Sequence, residues 1–208
     1  MLGVSLSTPP GSRRFYVLSL STAVTWTAGS SLSGPLRWGW IQHRDEQLRR
    51  PVVVPVATGL GAFAVFYAGA LVSRRIPVLR RATSRVLLFA DEGDTSLVML
   101  TTVANGVAEE LFFRGALYQA FGRRHPVLSS TGAYTLATVA TRNPALVLAA
   151  GATGALFALQ RRASGGIQAS TLTHLTWSML MVRFLPPLFR DDPADSTPTS
   201  RRLGTNLR

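Results

Sequence analysis

Long uncharged stretches alternate with pairs of arginines along this chain. Residues 52–72 contain no charged side chain, and about 20 such residues are enough for a helix to cross the hydrocarbon core of a bilayer. Residues 15–36 are also uncharged, although Ser and Thr dilute their apolar character. Four further mainly apolar stretches occupy residues 96–122, 127–141, 144–159 and 167–188. The pattern predicts an all-α fold, namely a polytopic transmembrane helical bundle of about six spans.

The two ends of the chain differ from this middle region. The helical bundle is expected at residues 15–190, after an N-terminal tail at residues 1–14. Residues 191–208 combine Pro, Ser, Thr and mixed charge with little apolar content, which predicts a disordered C-terminal tail. The run SRRF at residues 12–15 also resembles the start of a twin-arginine signal peptide. A first membrane helix is the simpler interpretation, because no soluble stretch follows that would need export.

The chain is strongly basic, and all of its 22 basic residues are arginine, which gives a formal net charge of +12. Clustered arginine can neutralise nucleic-acid phosphates, but no nucleic-acid-binding motif accompanies this charge. The arginines recur instead at the edges of apolar stretches, where their stems can lie along lipid while the guanidinium groups reach headgroups. Membrane lipid is therefore the expected partner, and nucleic acid is not. The loop at residues 73–85 carries the most arginines and is expected to face the cytoplasm.

Two adjacent carboxylates lie within one predicted span. Glu109 and Glu110 are the only acidic residues in any apolar stretch, and a carboxylate at bilayer depth costs about 2.5 kcal/mol or more. Glu110 and Arg114 are four residues apart on one helical face, so we expect them to pair. Glu109 is rotated by about 100° from Glu110, which leaves Asn105 as its candidate hydrogen-bond partner. A buried network that only fixes helix packing is one interpretation, and a functional site is the one we favour.

His174 is the only histidine within a predicted span. Ser178 lies one turn further along the same helical face. The two side chains could together donate hydrogen bonds to a developing oxyanion, as amide hydrolysis requires. A packing role for His174 explains the sequence equally well. His43 and His125 fall in arginine-rich loops, where we expect them to be solvated.

Two runs of residues in the second half of the chain resemble motifs of a known family. The run AEELFFRG at residues 108–115 resembles the EExxxR motif of the CPBP family. This family comprises the type II CAAX prenyl proteases and their bacterial relatives, among them Abi proteins linked to bacteriocin immunity. The run RRASGGIQASTLTH at residues 161–174 is similar to the glycine-rich turn that leads to the histidine of the family's HxxxN motif. The resemblance covers about residues 95–188, and it implies a protease-like core there.

The resemblance also implies a role for each matching residue. Glu109 would be the general base that activates water. Glu110 and Arg114 would support it, and His174 would stabilise the oxyanion.

Two positions depart from the family pattern. Thr138 stands where the histidine of the FxxxH motif belongs, and Ser178 replaces the asparagine of HxxxN. A literal FxxxH at residues 121–125 follows Arg114 too closely and lies in an arginine-rich loop, so we interpret it as a chance match. Thr138 cannot take up a proton as an imidazole does, so water activation would depend on Glu109 alone.

These features predict a glutamate-type intramembrane endopeptidase that hydrolyses a peptide or membrane-protein substrate near or within a bacterial plasma membrane. The chain has no cysteine, which excludes thiol nucleophiles, disulfide scaffolds and zinc knuckles. A catalytic metal needs about three protein ligands. Only Glu109, Glu110 and His174 are available at bilayer depth, so no cofactor is expected, and zinc is disfavoured.

Two other functions remain open. A non-catalytic protein of the same fold could act by binding a partner, for example in immunity to a bacteriocin or peptide toxin. A small transporter could use Glu109 as a proton site, although the helices show no clear paired halves.

Overall fold

The computed structural model describes residues 2–42, 47–122 and 124–190. Within these ranges the fold is almost entirely helical, which confirms the predicted all-α class. The C-terminal tail expected at residues 191–208, and His43, lie outside the described residues.

The helices pack into a single bundle and follow one another closely along the chain. In chain order they are α1 (Leu2–Ser5), α2 (Arg13–Leu32), α3 (Val53–Ser73), α4 (Pro77–Asp91), α5 (Thr95–Glu109), a π-helical segment (Glu110–Ala116), α6 (Leu117–Ala120), α7 (Pro126–Val139), α8 (Pro144–Ser164), α9 (Gln168–Phe184) and a 3₁₀ turn (Pro186–Leu188). Two short antiparallel strands, β1 (Ile41–Gln42) and β2 (Leu48–Arg49), pair Ile41 with Arg49.

Each of the six predicted apolar stretches contains a helix, with the long third stretch forming α5, the π-helical segment and α6 in continuous succession. In the described part of the chain, three helices are long and apolar enough to cross a membrane, at Val53–Ser73, Thr95–Ala120 and Pro144–Ser164. The first of these, α3, buries few residues and leaves side chains such as Val53 and Val65 largely exposed, which is typical of a lipid-facing helix. The number of six spans stays a prediction.

Residues 73–85 are not the loop that the sequence predicts, because helix α4 occupies most of them. Pro77 begins this helix, at a position where its missing amide hydrogen costs nothing. Ala82 and Phe89 are buried, and the Phe89 ring packs against Phe15 of α2 with centroids 4.6 Å apart. The prediction was wrong because the arginines of this segment lie on a helix that is apolar on its other face.

The predicted N-terminal tail is also partly ordered. Residues Leu2–Ser5 form α1, which contacts α2. Helix α2 begins at Arg13, where the Ser12 hydroxyl accepts a hydrogen bond from the Phe15 amide at 3.2 Å. This N-cap places the start of the first long helix two residues before the predicted boundary.

An extended segment after α2 crosses the turn between α8 and α9. The Trp40 amide donates to Ser164 O at 2.8 Å, and the Ile167 amide donates to Arg37 O at 2.9 Å. The two backbones approach so closely at Gly166 that a Cβ atom there would overlap the backbone of Trp38. The glycine-rich run that precedes His174 is therefore required by this crossing.

Replacing Gly166 with Ala is expected to destabilise the protein by about 3 kcal/mol, because the new methyl group must push the crossing backbones apart. Gly61 is the matched control, since a Cβ atom there meets nothing within 4 Å. Thermal unfolding in detergent measures both variants. Equal melting temperatures for Gly166→Ala and Gly61→Ala would show that the crossing tolerates a side chain.

Candidate active site

The two adjacent carboxylates lie where α5 changes into the π-helical segment. Glu109 is the last residue of α5, and Glu110 is the first residue of the π-helical segment. The segment ends with a hydrogen bond from the Leu117 amide to Phe112 O, which spans five residues instead of four. Such segments are rare and frequently occur at functional sites. No sequence signal predicts this one.

Glu110 and Arg114 form a fully buried ion pair, as the sequence predicts. Arg114 Nη1 lies 3.2 Å from Glu110 Oε1, and neither side chain is exposed. Arg114 Nη2 also donates a hydrogen bond to Gly154 O at 3.3 Å. A Cβ atom at Gly154 would lie 3.6 Å from this Nη2 atom and 3.2 Å from the Tyr134 ring. Gly154 of α8 therefore allows the guanidinium group to fit between the helices.

His174 of α9 faces both carboxylates. Its Nδ1 atom lies 3.1 Å from Glu110 Oε1, and its Nε2 atom lies 3.9 Å from Glu109 Oε2. The imidazole stacks on the Phe157 ring with centroids 4.7 Å apart, which fixes the ring plane. Gly106 lets α5 approach α9, because a Cβ atom there would lie 3.0 Å from Leu175. Four predicted residues, from α5, the π-helical segment and α9, thus come together in one cluster.

Tyr134 of α7 is the hydrogen-bond partner of Glu109, and sequence reasoning missed it. The Tyr134 hydroxyl donates to Glu109 Oε2 at 2.7 Å, and its ring lies 4.5 Å from the Arg114 guanidinium carbon. The prediction that Asn105 is the partner of Glu109 is wrong, because the Asn105 Nδ2 atom donates to Thr101 O at 2.8 Å. A buried tyrosine hydroxyl usually has a hydrogen-bond partner, so a tyrosine on the apolar α7 was a sequence signal that could have pointed to Glu109.

The accessibility of the two carboxylates differs. The side chain of Glu109 is 14% exposed, whereas that of Glu110 is completely buried. Glu110 is held by Arg114 and His174, while Glu109 is held by a neutral hydroxyl. Of the two carboxylates, Glu109 is thus the one that keeps exposed surface.

Thr138 and Ser178 make local hydrogen bonds in this structure. The Thr138 hydroxyl donates to Tyr134 O at 2.9 Å, and the Ser178 hydroxyl donates to Leu175 O at 3.3 Å. Both bonds end on backbone oxygens of the same helix. The catalytic roles that the family motifs imply for Thr138 and Ser178 stay predictions.

His125 lies at the far end of α7. It is the residue before Pro126 and adopts a left-handed backbone conformation with φ of 52°. Nine residues of helix separate it from Tyr134, or about 13 Å along the axis. The literal FxxxH match at residues 121–125 is therefore remote from the carboxylates.

Trp177 contributes a further polar atom to this region. Its ring centroid lies 6.0 Å from that of His174, and its indole Nε1 atom is buried without a hydrogen-bond partner. A buried donor in this position is available to a bound molecule. The sequence points to Ser178, the next residue along, and overlooks Trp177.

Possible metal ligands are few in the part of the chain that the structure describes. No group of three or more His, Cys, Asp and Glu side chains in these ranges could hold a metal ion. Glu110 is committed to Arg114, and Glu109 accepts the Tyr134 hydrogen bond. The absence of a cofactor stays a prediction.

Comparison with known proteins gives one family match. Residues 92–180 match a family model described as type II CAAX prenyl endopeptidase Rce1-like. Over these residues the chain is similar to the type II CAAX prenyl endopeptidases, which agrees with the resemblance of its motifs to the CPBP family. The match spans somewhat less than half of the chain, from the end of α4 into α9, and it includes every residue of the cluster around Glu109. No curated protein and no solved structure gives a significant match to the chain. The family match and the three long apolar helices together indicate an integral membrane protein.

Proposed function

We propose that this protein is an intramembrane endopeptidase in which Glu109 activates water for hydrolysis of a peptide bond near or within the membrane. One observation carries the proposal: Glu109 is the accessible carboxylate, and it faces His174 Nε2 across 3.9 Å. That separation is too long for a hydrogen bond, so a third molecule placed beside the two atoms can contact both groups. The proposed location is a bacterial plasma membrane, and the proposed substrate is a peptide or membrane protein.

Glu109 carries the proton during the proposed hydrolysis. Glu109 accepts a proton from water, and the resulting hydroxide attacks the carbonyl carbon of the peptide bond. The proton then passes from Glu109 to the leaving amine, so that the products are a carboxylic acid and an amine. A hydrogen-bonded tyrosine hydroxyl orients Glu109 for both transfers.

His174 would stabilise the oxyanion that this attack creates. An ionised Glu110 only accepts hydrogen bonds, so its contact with Nδ1 requires a proton on Nδ1. Nε2 then carries a proton only when the imidazole is cationic, and this is the form that donates to an oxyanion. The unpaired indole N–H of Trp177 is a second candidate donor.

Released peptides provide the test. Membranes are prepared from cells that lack the chain, cells that carry it, and cells that carry Glu109→Gln, and the peptides released from each are identified by mass spectrometry. We expect a set of peptides that only the wild-type chain releases, and we expect a strong metal chelator to leave this set unchanged. Glu92→Gln is the control, because Glu92 is an exposed carboxylate at the end of α4.

Two results would contradict the proposal. Identical peptides from all three membranes would favour the alternative, a non-catalytic protein that binds a partner. Loss of the peptides on chelation, with recovery on added zinc, would replace the glutamate mechanism with a metal-dependent one.

A further inference from the structure

Five arginines surround a cleft where α3 meets α4. The cleft has a volume of about 620 Å³. Arg74 and Arg75 come directly after α3, and Arg80, Arg81 and Arg85 lie on α4. We call this set the arginine cleft.

Acidic residues are scarce in the sequence around the arginine cleft. No acidic residue occurs between Arg74 and Asp91 in the sequence. Among the described residues, no carboxylate forms an ion pair with Arg74, Arg75, Arg81 or Arg85. Like charges held this close repel one another, and a bound anion relieves the repulsion.

Packing does not explain these arginines. Helix α4 is held in the bundle by its other face, on which Ala82 and Phe89 are buried. Asn143 donates a hydrogen bond from Nδ2 to Ala82 O at 2.7 Å, which adds a polar contact on that face. All five arginines of the cleft are exposed. The side chains of Arg74, Arg75, Arg81 and Arg85 are thus available to a ligand.

The position of the cleft indicates which anion it meets. It directly follows α3, one of the helices able to cross a membrane, and therefore lies at the end of a span. Leu88 lines the cleft and is 42% exposed, and Val78 on the same helix is 58% exposed. Basic and apolar side chains exposed together on one helix are typical of a segment at the lipid headgroup level. A phospholipid offers both a phosphate and an acyl chain to such a surface.

We propose that the arginine cleft binds the phosphate of an anionic phospholipid headgroup. Guanidinium groups from the α3 end and from α4 donate hydrogen bonds to the phosphate oxygens, and Leu88 contacts the acyl region. The bound lipid would hold α4 at the membrane surface. This site is separate from the carboxylate cluster, so the proposal does not depend on the proposed proteolysis.

Native mass spectrometry of the purified full-length chain tests this proposal. The protein is titrated with phosphatidylglycerol or phosphatidylcholine, and the dissociation constant of the first bound lipid is measured. We expect phosphatidylglycerol to bind at least about tenfold more tightly than phosphatidylcholine. Arg81→Gln/Arg85→Gln is expected to weaken the binding of phosphatidylglycerol by about tenfold, which abolishes the preference over phosphatidylcholine. Arg74→Gln/Arg75→Gln tests the other wall of the cleft and is expected to weaken the binding of phosphatidylglycerol as well.

Arg13→Gln/Arg14→Gln is the matched control, since this pair is adjacent and exposed and its removal changes the net charge equally. We expect it to change the affinity for phosphatidylglycerol by less than about twofold. Equal loss of affinity in the control would overturn the proposal, because the effect would then come from net charge alone. Equal affinity of wild type for both lipids would also overturn it. Inorganic phosphate is the third ligand, and its binding as tightly as phosphatidylglycerol would assign the cleft to free phosphate rather than to lipid.

Discussion

Purified Glu109→Gln protein is expected to fold like the wild type and to lose peptide-cleaving activity by about 10²- to 10⁴-fold. Glutamine has the size of glutamate, and its amide oxygen can still accept the hydrogen bond from Tyr134. It cannot take a proton from water. A large loss of activity in Glu109→Gln would therefore reflect lost proton transfer and not altered packing.

The measurement is the rate of cleavage of a peptide identified among the released products, in reconstituted membranes. Glu92→Gln serves again as the control and is expected to keep the wild-type rate. Tyr134→Phe removes only the hydroxyl that orients Glu109, so we expect an intermediate loss. Wild-type activity in Glu109→Gln would exclude this carboxylate as the base.

Replacing Arg114 with Ala is expected to damage folding and membrane insertion far more than Glu109→Gln does. The change leaves the Glu110 carboxylate completely buried without its cationic partner, a situation that costs about 3–5 kcal/mol. It also removes the hydrogen bond to Gly154 O and the contact with the Tyr134 ring. Folded domains are stable by only about 5–15 kcal/mol, so much of the protein should be lost.

The yield of folded protein in membranes, and its melting temperature in detergent, measure this effect. Arg162→Ala is the matched control, because Arg162 is exposed near the end of α8 and lies outside the cluster. The double variant Glu110→Leu/Arg114→Met should recover part of the yield, since it removes both buried charges. Comparable yields for Arg114→Ala and Glu109→Gln would argue that the ion pair contributes little to folding.

The helices can be predicted from the local pattern of apolar residues. The charged cluster can be predicted because exposing a charged side chain to lipid costs free energy. A stretch of about 20 apolar residues predicts a membrane helix such as α3, wherever its neighbours lie. Likewise, Glu109 and His174 are too costly to face lipid, so a shared interior is the expected solution. The position of His174 beside both carboxylates, 65 residues after Glu109 and 64 after Glu110, follows from that cost.

The parts that the sequence does not predict depend on tertiary contacts or on patterns that charge conceals. Tyr134 becomes the partner of Glu109 only because α7 packs beside the π-helical segment. Nothing in the run that begins at Glu110 distinguishes a π-helix from an α-helix. In α4, the buried positions Ala82 and Phe89 have helical spacing, but the arginines between and around them suggested a loop.

The crossing of the segment after α2 over the α8–α9 turn bears on the order in which this protein matures. Thr173, next to His174, also donates a hydrogen bond to Pro55 O of α3 at 2.8 Å, so α9 is anchored on parts of the chain made much earlier. A chain that has been synthesised only as far as α8 holds both carboxylates but not His174. Biosynthesis proceeds from the N-terminus, so the cluster is completed only after α9 has been synthesised. A chain that stops before α9 thus lacks His174, so proteolysis of the kind proposed above cannot begin before α9 is made.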